Sequence, residues 1–171
     1  MKINCKLTFS GSNSFEYCTD LMIFVSFFNW YGMSYIQFDK NKLVNLEYSL
    51  SKEIIRSNRA GSYASLTIIG CNTRKYHGLL ICPIDEMDGE KHVLLSSLDA
   101  TIIEMGKEFN LSIHKYEGDN YNPKGHKYVI DFEAEIVAKT TFSVGNVVLI
   151  KESLLVEKEQ QMLLRYTLAD T

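Results

Sequence analysis

The side chains best suited to chemistry gather between Ser57 and Leu80, in two blocks. The first, Ser57-Asn58-Arg59-Ala60-Gly61-Ser62-Tyr63-Ala64-Ser65, mixes polar groups with small residues that allow a tight backbone path. The second, Gly70-Cys71-Asn72-Thr73-Arg74-Lys75-Tyr76-His77-Gly78-Leu79-Leu80, sets a guanidinium, a phenol and an imidazole side by side and follows them with a glycine that lets another segment approach closely. Read as a strand from Thr73 to Cys82, it places Arg74 and Tyr76 on one face and Lys75 and His77 on the other. Arg74 offers a planar fork to a carboxylate or to several carbonyls, and His77 can donate or accept. Left unpaired in a core, such groups cost about 1 to 3 kcal/mol each. They are therefore expected to be satisfied, either by bonds within the fold or by an adjoining surface.

Other chemistries find less support. Cys71, His77 and Cys82 lack the spacing of a structural zinc site and a fourth ligand. A Cys71–His77 nucleophile pair has no third group to orient it. Neither GxGxxG nor GxxxxGK[ST] occurs, so no phosphate loop is indicated. Neither a metal nor a cofactor is expected. Tyr116 and Tyr121 could stack on sugar rings or simply pack.

The elements that must position these residues are read from composition and period. The chain has 171 residues, 46% hydrophobic and 23% charged, which suits one sizeable core. Its net charge of -3 gives no electrostatic footprint for nucleic acid or an acidic membrane. Ten tyrosines and nine phenylalanines against two prolines favour strands. Cys5, Cys18, Cys71 and Cys82 form no CxxC pair and read as free thiols in a reducing cytoplasm. The apolar stretch from Leu21 to Phe28 falls short of the roughly 20 residues of a membrane helix, and no signal-peptide pattern surrounds it. Residues 1–32 read as an irregular extension, explained equally by translation that starts at Met33 or by an extra N-terminal strand or tail.

From Tyr35 onward a strand period prevails, and no helical period is evident. Across Tyr128 to Val144 the even positions Ile130, Phe132, Ala134, Ile136, Ala138, Phe142 and Val144 are apolar while Asp131, Glu133, Glu135 and Lys139 are odd. Gly145-Asn146 then suits a two-residue hairpin loop into Val147 to Val156, and a further alternating run from Gln160 to Leu168 completes a meander. Tyr63 to Ile69, Tyr76 to Cys82, His92 to Glu104 and Phe109 to Tyr116 are further strands, with Met105-Gly106-Lys107 turning between the last two. Asp85 to Glu90 and Glu117 to Lys127 read as loops. Seven or more antiparallel strands bury their apolar faces most economically as two packed sheets, so the expected fold is an all-β antiparallel sandwich. Ile130, Phe132, Ile136, Phe142, Leu164 and Tyr166 are its expected core. Thr171 follows a strand with no capping element, which suggests that the chain is cut from something longer.

The string from Asn58 to Leu80, continued by His92-Val93-Leu94-Leu95-Ser96-Ser97-Leu98-Asp99, resembles the N-terminal domain of bacterial and archaeal glycogen debranching enzymes of the amylo-α-1,6-glucosidase type. The match is close over Thr73-Arg74-Lys75-Tyr76-His77-Gly78-Leu79-Leu80 and looser before it: Arg59 and Ser62 stand where the family pattern has glycine. It extends over about Glu53 to Leu168. The resemblance implies a supersandwich-like β-sandwich placed before an (α/α)6 barrel that hydrolyses α-1,6-linked glucose at glycogen branch stubs in the cytoplasm. Inverting hydrolysis needs an acid and a base carboxylate about 6.5 to 9.5 Å apart, and no pair here is so marked. Glu133 and Glu135 share the wet face of a regular alternation. No catalytic residue is therefore expected in this chain, whose partners would be its own C-terminal barrel and glycogen or another α-glucan, with neither nucleic acid nor membrane. Asn58, Tyr63, Arg74, Tyr76 and His77 become candidates for substrate contact or for the domain interface. Arg74 is expected to pin the Asn58 to Ser65 loop, with His77 and Tyr76 near the surface that meets the barrel. A free-standing carbohydrate-binding module is the alternative.

Overall fold

A computed structural model describes residues 35–169. The extension 1–32, with Met33, Cys5 and Cys18, and the terminal Thr171 lie outside the described residues. Strand β1 (Ile36–Asp39) leads into two short helices, α1 (Lys40–Leu43) and α2 (Leu46–Leu50). Asp39 caps the first by accepting from the Lys42 amide and Asn45 caps the second by accepting from the Tyr48 amide. At four and five residues these helices are too short to leave a periodic signal in the sequence, which is why none was expected there.

Two antiparallel sheets follow. The smaller one joins β2 (Glu53–Ser57), β3 (Tyr63–Thr67), β4 (Gly78–Pro83) and β5 (Lys91–Leu95) in chain order. Two hairpins come next, β6 (Thr101–Glu104) with β7 (Lys107–Asn110), and β8 (His114–Tyr116) with β9 (Asn120–Asn122). The larger sheet places β1 beside a meander of β10 (Val129–Ala134), β11 (Ala138–Val144), β12 (Val147–Leu155) and β13 (Met162–Ala169). Ile54 and Leu66 of the smaller sheet and Phe132 and Phe142 of the larger line one cavity, which places these faces against each other. The all-β sandwich expected from the sequence is the observed fold.

Details differ. Tyr128 to Val144 is not one strand but the β10–β11 hairpin, with Ile136 at its tip and 59% exposed. The pairing is Phe132 with Thr140 and Ala134 with Ala138, so even numbers face even numbers and the alternation passes through the turn unbroken. That continuity disguised the hairpin as a single strand, and it removes Ile136 from the core. Phe132 and Phe142 are buried as expected, whereas Ile130, Leu164 and Tyr166 are only partly so. The run His92 to Glu104 breaks between β5 and β6, and Phe109 to Tyr116 is divided between β7 and β8. The loop Glu117 to Lys127 contains β9. Gly145 and Asn146 form the expected two-residue connection, with Val144 opposite Val147 and Gly145 at φ 55°.

Candidate functional site

The loop between β2 and β3 is organised by Asn58. Its side-chain oxygen accepts from the amides of Ala60 (3.1 Å) and Ser62 (2.9 Å), and its own amide accompanies this by donating to the Ser62 carbonyl at 3.0 Å. The side-chain nitrogen donates to the carbonyls of Val156 (2.7 Å) and Glu159 (2.8 Å), which tie this loop to the β12–β13 connection of the other sheet. Arg59 reinforces the tie through its amide, which donates to the Glu157 carbonyl at 2.8 Å. Asn58, not Arg74, is thus the residue that pins the loop.

Arg74 lies elsewhere because Thr73 to His77 is not a strand. β4 begins only at Gly78, and the His77 amide donates to the Arg74 carbonyl at 3.1 Å, closing a turn. The proposed sharing of faces by Arg74 with Tyr76 and Lys75 with His77 therefore does not apply. In the turn, Arg74 forms an ion pair with Glu53 at the start of β2, and its Nε lies 3.1 Å from His77 Nε2. His77 is 4% exposed. Its Nδ1 accepts from the Thr73 amide at 3.1 Å, and its Nε2 sits between the Arg74 Nε and Glu53 Oε1, the latter 3.5 Å away. Burial, and then the Arg74 charge, hold the imidazole pKa below its ordinary value. His77 is a buried ring held in place by these contacts.

The remainder of the segment is fastened in the same way. The Thr67 hydroxyl accepts from the Cys71 amide at 2.9 Å and donates to its carbonyl at 3.0 Å, while Asn72 donates to the Ser96 carbonyl at 2.9 Å. Gly78 sits where β5 crosses closely: a Cβ there would stand 2.9 Å from Val93 Cγ1 and 3.0 Å from the Leu95 carbonyl oxygen. Tyr76 alone points outward among the motif's ring-bearing side chains, 47% exposed with Lys75 Nζ 5.1 Å from its ring centre. Tyr63 is partly buried beneath Lys91 Nζ at 4.9 Å. Because Ile54 faces the intersheet cavity, Glu53 and Ile55 face the opposite side of β2, so Arg74 is tethered on the outer side of the smaller sheet.

Cys71 and Cys82 are free and buried, and burial pushes the Cys71 thiol pKa up, the reverse of what a nucleophile needs. Among the described residues, no group of three His, Cys, Asp or Glu is placed to hold a metal ion, and no helix is long and apolar enough to cross a membrane. Tyr116 is exposed, while Tyr121 packs partly against the core.

Two participants escaped the sequence reading. Glu53 is far from Arg74 along the chain, and no spacing rule links them. Lys151 left a readable trace: it shares the inward parity of Val147 and Leu149 on β12. Across the larger sheet the register aligns Phe38, Phe132, Thr140, Lys151 and Tyr166 in one row facing the smaller sheet. Lys151 Nζ donates to the Leu98 carbonyl at 3.3 Å and lies 5.8 Å from the Tyr166 ring centre. Burial lowers its pKa to about 8, partly opposed by Asp99.

The fold and this network define a class: an all-β sandwich domain whose signature residues mostly bond to one another. Residues 52–171 match the family described as glycogen debranching enzyme N terminal, and the chain belongs to that family. Comparison with curated proteins and with solved structures found no match.

Proposed function

We propose that the chain is the noncatalytic N-terminal domain of a glycogen-debranching glycoside hydrolase, bracing an (α/α)6 barrel and shaping the rim at which α-glucan enters. The observation that carries this reading is the family match over 52–171 together with a motif in which Arg74, His77 and the Asn72 side-chain nitrogen bond within the fold while Tyr76 faces outward. Arg74 and His77 then act by holding the turn, and Tyr76, with Ile55 exposed on the same side of β2 as Glu53, supplies contact area to the barrel or to glucan. The reading frame beyond Thr171 tests the partner: several hundred residues of helical sequence support it, and a stop codon favours the carbohydrate-binding module instead.

Two measurements follow. The isolated chain should release no glucose from limit dextrin or 6-O-α-glucosyl oligosaccharides; turnover abolished by a single carboxylate substitution within it would overturn the noncatalytic reading. In the enzyme carrying the barrel, Arg74→Ala and His77→Ala should lower thermal stability, whereas Tyr76→Ala should raise KM for branched glucan with little change in melting temperature. Unchanged kinetics in all three folded variants would confine the motif to architecture.

A further inference from the structure

A cavity of about 80 Å³ lies between the two sheets, lined on one wall by Lys151, Thr140 and Ser153 and on another by Asp99 and Ser112. Leu79 and Phe142 supply apolar surface to the same space. A concave site with an apolar wall and a few convergent polar groups has the usual anatomy of a small-molecule site. The polar groups have capacity to spare. An ammonium carries three donors, and Lys151 gives one to the Leu98 carbonyl, with no carboxylate within 4 Å among the described residues. Asp99 bonds His114 Nε2 through Oδ2 at 2.8 Å, which leaves Oδ1 as an acceptor.

The opposite charges decide the class of ligand. An anion drawn to Lys151 would be opposed by Asp99, and a cation by Lys151. A neutral molecule with adjacent hydroxyls answers both, because each hydroxyl accepts from the lysine or donates to the carboxylate, while its C–H surface meets the apolar wall. Size sets a second limit: at about 80 Å³ the cavity is about half the size of an engineered apolar cavity that takes up benzene. That suits a three-carbon triol or the hydroxymethyl edge of one sugar ring and excludes a whole disaccharide.

We propose that this intersheet cavity is a binding site for a neutral polyhydroxylated ligand, with Lys151 as donor and Asp99 as acceptor. The lowered pKa of Lys151 agrees, since it marks a half-buried ammonium that has given up part of its water without gaining an equivalent partner. The site is defined by its own chemistry and does not depend on the debranching reading.

Saturation-transfer NMR on the 171-residue chain at pH 7 tests it, with glycerol, glucose and maltotriose as probes. Transfer to glycerol alone identifies a free triol; transfer to glucose and maltotriose identifies a sugar edge. In either case Lys151→Met should weaken binding about tenfold, the usual consequence of losing one hydrogen bond near 1.4 kcal/mol, and the isosteric Thr140→Val should weaken it less. The surface variant Lys115→Met should leave the signal unchanged, and circular dichroism confirms that each variant is folded. No transfer to any probe, or equal transfer in wild type and in the folded Lys151→Met and Thr140→Val variants, would overturn the proposal.

Discussion

The two sheets divide their labour unevenly. The smaller one carries the motif-rich residues, and its polar groups close on each other: Arg74 on Glu53, Thr73 on His77, Asn72 on Ser96. The larger one is a regular meander in which a single inward lysine lacks a close counter-charge. A conspicuous cluster of functional side chains can thus be scaffolding, while an ordinary strand holds the chemically open group. The reason is energetic. Polar atoms concentrated near a core must be paired within the fold if it is to stand, so density favours internal satisfaction. A lone charge on an apolar parity has no such company.

The contrast is broken most forcefully at the larger sheet's apolar row. Phe132 is 4% exposed and packs against Phe38 with ring centres 6.3 Å apart. Phe132→Ala should cost about 3 to 5 kcal/mol in urea unfolding; a loss below about 1 kcal/mol would mean that this row does not anchor the sandwich. In the smaller sheet the heaviest polar member is Asn58, whose four side-chain bonds join the two sheets' connections. Asn58→Ala should cost about 1 to 3 kcal/mol. Asn58→Asp keeps acceptors for the Ala60 and Ser62 amides but faces the Val156 and Glu159 carbonyls with negative charge, so it should recover little.

Lys151→Met sharpens the comparison from the other side. Replacing an underpartnered, half-buried charge with an apolar chain of similar length should raise stability by up to about 1 kcal/mol at pH 7. The lysine's folded pKa of about 8 lies below its ordinary 10.5, so the unfolded chain binds the extra proton between those values. Wild-type stability should therefore climb as pH rises from about 8 toward 10.5, and the climb should vanish in the variant. A wild-type curve flat across that interval would show Lys151 to be well solvated or well paired.

Much of this was open to a reader of the sequence, and the failures have physical causes. Period two identified the sandwich and the Gly145-Asn146 turn, because strand alternation depends only on which face is wet. It could not separate β10 from β11, since their pairing keeps even residues opposite even residues. It also could not detect that Arg74 to His77 bends into a turn, because that turn is held by the Arg74–Glu53 ion pair, a contact between segments remote in sequence. The motif itself was legible as a group of residues; its partners were not.

The smallest expected effect concerns acid. His77 and His126 are both 4% exposed, and burial holds both below the ordinary histidine value, helped by Arg74 for the first and by Lys127 and Lys124 for the second. A histidine kept neutral in the fold takes up its proton only on unfolding, so the unfolded state binds more protons as the medium acidifies. The stability each contributes is complete above the unfolded pKa near 6.5 and declines as pH falls from there toward the folded value. Each can add at most about 1.4 kcal/mol per pH unit to that slope. His77→Asn offers an amide oxygen where Nδ1 accepts from Thr73, and it removes one titrating group. Its stability should fall less steeply than that of wild type between pH 6.5 and 5.5, by up to that single-proton slope. If the two curves run parallel there, His77 is protonated in the folded chain, and the closed network assigned to the smaller sheet is wrong at its centre.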